Sequence, residues 1–167
     1  GWQRLFPLQW LVRPLRPEVF AARRLRLPWL RHASVLSRAW HRWLRNRLHR
    51  DPGIELREVT RADDSFDRLW ERCKADSLFS AVRDRAWVQW RFHSSPARNY
   101  EVVAARRRGT LVGYCATHIA RSDDKTSAFL AEIVAPGHDL AAHDTLLDAA
   151  IASTHDAGAD ILATLAV

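Results

Sequence analysis

The chain has 167 residues, carries a formal net charge of +7 and contains no methionine. That length suffices for one domain with a sizeable core and not clearly for two. No apolar run approaches the roughly 20 residues that span a bilayer, and arginines interrupt every apolar stretch of the N-terminus, which argues against a transmembrane helix and a signal peptide.

The charge is divided unevenly. Residues 1–50 hold 12 arginines against a single acid, Glu18, a net of +11, whereas residues 51–167 carry 14 Lys+Arg and 18 Asp+Glu, a net of −4. Five of the eight tryptophans (Trp2, Trp10, Trp29, Trp40 and Trp43) also lie in the first 50 residues. The sequence begins with Gly1, and its last residues, "ILATLAV", read as a buried strand, so we expect a fragment cut at both ends.

In chain order, Pro7, Pro14, Pro17 and Pro28 first divide the segment into short pieces. "WLRHASVLSRAWHRWLRNRLHR", 29–50, then has a helical period: Leu30, Val35, Leu36, Trp40, Trp43, Leu44 and Leu48 recur mostly at threes and fours. Its arginines fall largely elsewhere. Such a helix has two readings, an interfacial helix docked on anionic lipid or on nucleic acid, or a linker packed against a neighbouring domain. Arg outnumbers Lys by 24 to 2, which by itself favours no partner; nucleic acid is the less expected one. Asp51-Pro52-Gly53 then marks a turn and a change of composition.

Beyond it, "IELREV" (54–59) alternates like a half-buried strand. Asp63 or Asp64 is placed to cap a helix through about Ala75, with Phe66, Leu69, Trp70 and Cys73 on one stripe. A second helix is expected over 83–92, ended by "HSSP". "YEVVAAR" (100–106) and "TLVGYCATHI" (110–119), joined by a short Arg-Gly link, predict an antiparallel hairpin. "AFLAEIVAPG" (128–137) reads as a central strand, 140–158 as a helix stopped by Gly158, and 160–167 as a last strand. Cys73 and Cys115 lack metal-type spacing and sit in apolar-periodic segments, as buried thiols of a reducing compartment would.

The order β-α-α-β-β-β-α-β resembles that of the GNAT acyltransferase superfamily. Arg83-Asp84, Trp90-Arg91, Pro96, Tyr100, Gly109 and Val112-Gly113-Tyr114 are similar to the pattern of a group of bacterial GNAT-like proteins. In that group two halves often lie in tandem, in a FemAB-type arrangement. "GWQRLFPLQWLVRPLRP" looks like the end of a preceding half. The resemblance therefore implies an α/β fold with a mixed, mostly antiparallel sheet flanked by helices. It divides the chain into the tail of a preceding domain (1–17), a basic helical linker (18–50) and a GNAT-like domain (51–167) truncated at its C-terminus. It also implies that Trp87 and Trp90 pack the second helix under the sheet.

For chemistry, the resemblance implies transfer of an acyl group, most simply acetyl, from CoA to a small-molecule or peptidyl amine by direct attack. The fourth strand of the family splays from the fifth to admit the pantetheine arm, with backbone polarisation of the thioester near Ile133, Val134 and Ala135. A loop then wraps the pyrophosphate, where helix N–H groups and the helix dipole favour an anion. That loop falls on His138, Asp139, Leu140, Ala141, Ala142 and His143, aligned as His138-x-x-Ala141-x-His143 or as Asp139-x-x-Ala142-x-Asp144. Neither alignment supplies the family's basic residue and glycines, and Asp139 opposes a phosphate. Glu132 is where some members place the general base, and its other reading is an outward-facing strand residue. The acid that protonates the leaving thiolate would lie beyond Val167.

Asp139 and His143, at i and i+4, could share a metal ion, but further ligands are missing, and Asp139 as a helix cap is the ordinary explanation. No metal is expected. Two rival functions stay open: a non-catalytic half that supports a second GNAT-like half in cis, and an Arg/Trp-rich module that binds membrane or nucleic acid. The expected setting is cytoplasmic, with peripheral contact at the inner membrane face through 29–50.

Overall fold

The computed structural model of the chain describes residues 9–27, 48–76, 81–96, 98–123 and 125–166. The helix expected over 29–50 lies outside them, apart from its last three residues. The elements run β1 (Gln9–Pro14), α1 (Pro17–Leu25), β2 (Ile54–Glu58), α2 (Asp64–Cys73), a 3-10 turn (Lys74–Asp76), α3 (Arg85–Val88) continuing into a π-helical turn (Gln89–His93), β3 (Tyr100–Arg107), β4 (Thr110–Ser122), β5 (Lys125–Val134), α4 (Leu140–Asp156) and β6 (Ile161–Ala166).

The strands form one sheet in the order β1-β6-β5-β4-β3-β2. All neighbours are antiparallel except β5 and β6. One apolar cluster, built on Cys115, Leu130, Leu146 and Ile151, fills the space between the sheet and α4. A second, built on Phe66, Leu69, Val88, Phe92 and Tyr114, lies under α2 and α3 on the opposite face. The alternation of β4 divides its side chains between the two clusters, Tyr114 to one and Cys115 to the other. Both cysteines are buried and neither is disulfide-bonded; burial pushes the Cys115 thiol up to about 12.

Local chemistry explains the element ends. Asp63 caps α2, its carboxylate accepting from Ser65 N–H at 2.8 Å. Asp84 caps α3 through Trp87 N–H at 2.8 Å. Gly158, at φ +81, turns the chain out of α4, a left-handed conformation that costs glycine little. At Gly113 the need is space: a Cβ would meet the Val134 carbonyl oxygen at 2.7 Å and the Ala135 Cβ at 2.9 Å. Glycine there lets the end of β5 lie closely over β4.

Two expectations are corrected. The single helix over 83–92 is instead one α-turn followed by the π-turn. With Val88 and Phe92 forming the buried stripe, Trp90 faces outward and is 64% exposed, while Trp87 packs edge-on against Phe92 at 5.4 Å. Only one of the two tryptophans therefore packs under the sheet. Residues i and i+4 share a helix face, which Trp90, midway between Val88 and Phe92, does not.

The N-terminal strand joins the same sheet. β1 pairs with β6 from Gln9↔Ala166 to Pro14↔Ile161, and Leu15, Val19 and Ala22 are buried behind it.

Candidate functional site

The parallel ladder between β5 and β6 is short. It holds at Ser127↔Ile161, Ala128↔Leu162 and Phe129↔Ala163 and then stops. Beyond it the Thr164 hydroxyl donates to the Leu130 carbonyl at 2.9 Å. At the same level β5 is bulged, since Leu130 pairs with Thr117 and Glu132 with Ala116, leaving Ala131 without a partner on β4. A bulge bends its strand and leaves a backbone unit unpaired, and such features gather beside functional sites. From Ala131 onward, the edge of β5 that faces β6 has no ladder partner among the described residues.

Glu132 follows the bulge on the α2/α3 side of the sheet. Its side chain is about 10% exposed and is ion-paired with the Arg83 Nε, while the Tyr114 hydroxyl donates to its second oxygen at 2.9 Å. Burial, and then the neighbouring Glu132 charge, hold the Tyr114 phenol far above its ordinary range, so it stays a hydrogen-bond donor. The outward-facing reading of Glu132 does not hold: two residues distant in sequence orient a largely buried carboxylate.

The turn from β5 to α4 is built differently. Asp139 caps α4, its carboxylate accepting from Ala142 N–H at 3.1 Å. Arg107 reaches across from β3 and grips Asp139 with both terminal nitrogens, at 2.7 and 3.1 Å, while its Nε bonds Asp51 at 2.8 Å. The Arg107 hydrogen bond, with the Ala142 N–H, lowers the Asp139 carboxyl below its usual range. Asp51 is lowered by the Gly53 N–H and then by Arg107. The helix end that would meet a phosphate thus already holds a carboxylate.

A cleft of about 790 Å³ opens on the α2/α3 side beside the short ladder. Its floor is a row of rings from four strands: Tyr100 lies 5.6 Å from His118, which stacks on Phe129 at 6.2 Å, and Trp10 meets Phe129 edge-on at 6.2 Å. Arg91, Arg98 and Arg121 line it, and the bulged Ala131 forms part of its wall.

No family model and no curated protein sequence matches the chain. Solved structures do. An aminoglycoside acetyltransferase from an uncultured soil metagenomic sample superposes with a TM-score of 0.51 at 14% identity, over 70% of this chain and 80% of its own. The GCN5-related glucosamine N-acetyltransferase region of a fungal multi-domain β-N-acetylglucosaminidase gives 0.52 at 22% identity, over 68% of this chain and 14% of that one. A ribosomal-protein-alanine N-acetyltransferase from Brucella melitensis biovar Abortus gives 0.50 at 15% identity, over 66% and 79%. The fold is the GNAT fold.

Against the GNAT frame, Glu132, Ile133 and Val134 lie together at the end of β5, just past the ladder's stop. Ala135 and Ala142 are buried beneath the turn, and His138 and Leu140 are exposed on it, with Ala141 and His143 part-buried. The sequence alone missed Arg83, Tyr114, Arg107, the bulge at Ala131 and the three cleft arginines. The resemblance motif did contain Arg83, Arg91 and Tyr114, but only register places them: Glu132 stands opposite Ala116, two residues along β4 from Tyr114. Among the described residues, no group of three or more His, Cys, Asp or Glu side chains gathers to hold a metal ion. No helix among them is long and apolar enough to cross a membrane.

Proposed function

We propose that the chain is an acyltransferase domain moving an acyl group, most simply acetyl, from CoA to an amine. The observation that carries this reading is the coincidence, at one level of the sheet, of three features: the end of the β5–β6 ladder, the bulge at Ala131 and the largely buried side chain of Glu132. The unpaired edge of β5 fits a pantetheine arm, whose amide groups need backbone partners. In the reaction the amine nitrogen attacks the thioester carbonyl, the new C–N bond replaces the C–S bond, and the sulfur leaves as thiolate. Glu132, fixed by Arg83 and Tyr114, would take the amine's proton, directly or through one water. Backbone N–H groups near Ile133 and Val134 would stabilise the oxyanion. The donor and the two unbridged buried thiols support a cytoplasmic setting.

The turn at 138–143 fits the donor less well. A carboxylate at the N-cap, itself neutralised by Arg107, competes with a pyrophosphate for the same N–H groups. That observation favours a second reading, a GNAT-fold half without catalysis that supports a partner half. Calorimetric titration of acetyl-CoA separates the two. Micromolar binding that Ala141→Trp abolishes supports the enzyme, and a folded chain that does not bind supports the non-catalytic half.

A further inference from the structure

We propose that the aromatic and arginine-lined cleft holds an anionic group of the acyl acceptor. The substrate would then be an amine carried several bonds away from a carboxylate or phosphate, on a flat or apolar body. This inference rests on the acyltransferase reading and names the substrate class of that same site.

The arginines carry the argument. Several guanidinium groups elsewhere in the chain are held by carboxylates: Arg83 by Glu132, Arg85 by Asp64, Arg106 by Asp63, and Arg107 by Asp51 and Asp139. Arg91, Arg98 and Arg121 meet no carboxylate among the described residues, and no acidic side chain lines the cleft. Arg91 is instead held by ring faces, its guanidinium carbon 5.4 Å from the Tyr100 centroid and 5.9 Å from that of Phe92. Stacking fixes the plane of a guanidinium while leaving its N–H fork available, the arrangement suited to bidentate binding of a carboxylate or phosphate. Three positive groups lining one cleft with no carboxylate among the described residues repel one another, and a bound anion relieves that repulsion.

The cleft also has a direction. Ala131, in its wall, adjoins Glu132, so an amine delivered at the bulge meets the proposed base. Along β5 the bulge lies two residues, about 7 Å, from Phe129, whose ring stacks under the row that Arg91 covers, and five residues, about 17 Å, from Thr126, the partner of Arg121. An α-amino carboxylate, presenting both groups from one carbon, cannot span this separation. The row of Tyr100, His118, Phe129 and Trp10 offers a flat surface for the body between the two ends.

Three amines that differ only at the far end test this: 4-(aminomethyl)benzoate, 4-(aminomethyl)phenyl phosphate and the neutral 4-(aminomethyl)benzyl alcohol, with glycine as the short comparison. Each is titrated calorimetrically into the full chain, beside a separate titration of acetyl-CoA. We expect one or both anionic amines to bind at least about tenfold more tightly than the alcohol, and glycine not to bind. Arg91→Gln and Arg121→Gln should each remove most of that preference, while Arg68→Gln, on the exposed face of α2, should leave it intact. Arg98 and Arg121 are exposed, so their variants report even if Arg91→Gln fails to fold. Equal binding of all three amines, or a preference that survives the Arg121 and Arg98 substitutions, overturns the proposal. Acetyl-CoA binding without any anion preference overturns it while leaving acyl transfer standing. Anion preference without acetyl-CoA binding removes the assignment to an acceptor.

Discussion

Glu132 shows how much chemistry one strand position acquires from its neighbours. A carboxylate about 10% exposed is tolerable because Arg83 neutralises it and Tyr114 satisfies its second oxygen. Tyr114→Phe should leave that oxygen unsatisfied and cost about 1–2 kcal/mol in a denaturant melt. Glu132→Gln keeps the shape and removes the base. On the acyltransferase reading it should lower kcat by on the order of 100-fold or more while acetyl-CoA binding in calorimetry is unchanged; an unchanged kcat would assign Glu132 a purely structural role. Gly113→Ala should destabilise by about 1–3 kcal/mol, because its neighbours on three sides include the Val134 backbone, which cannot yield cheaply. Glu132 is visible in the sequence as the position of a candidate base, and Gly113 as part of the Val112-Gly113-Tyr114 pattern. Their partners were not: Arg83 is 49 positions from Glu132, and only the β4–β5 register with its bulge aligns Tyr114 to it.

At the scale of elements, the helices and strands follow their sequence patterns closely. Period-2 alternation in β3 and β4, the Asp63 cap and the Gly158 stop act locally, so they are legible one segment at a time. The π-turn after α3 is not, since it depends on how Phe92 seats against Tyr100 and Tyr114, and a helical period over 83–92 does not show that Trp90 faces outward. The N-terminus of α4 is the element where sequence and structure agree on a conflict. Asp139→Gly should free the Ala142 N–H and release Arg107 towards a ligand, raising acetyl-CoA affinity by about 2–5-fold; an unchanged affinity would mean that the donor does not approach this turn.

Two pH windows follow from the same side chains. Asp139 and Asp51 have lowered folded pKa values, so their stabilisation is present above about pH 4, the unfolded range, and is lost as pH falls through their folded values. His93 is lowered by burial, and its Nε2 has no hydrogen-bond partner among the described residues. The unfolded chain therefore takes up this proton first, and stability should decline as pH falls below about 6.5. In denaturant melts between pH 7.5 and 5, His93→Leu should flatten that decline and leave the acid limb below pH 4 in place.

For the molecule as a whole, the sheet is what the sequence conveyed least completely. The core order β2-α2-α3-β3-β4-β5-α4-β6 was readable from periodicity and turn residues, and the resemblance supplied its three-dimensional meaning. The pairing of β1 with β6 was not readable, because charge and tryptophan content set the first 50 residues apart while backbone hydrogen bonding ignores both. The cleft was equally hidden. Its rings and arginines come from β1, β3, β4, β5, the π-turn and the loop that precedes β3, and only the sheet order brings them together.

The most direct test of acyl transfer at the β5–β6 opening is calorimetric titration of acetyl-CoA into the full chain and into Ala141→Trp. We predict micromolar binding to the former and none to the latter, with both chains showing the same cooperative melt. A well-folded chain that binds no acetyl-CoA would contradict it and leave a GNAT fold kept for its surface alone.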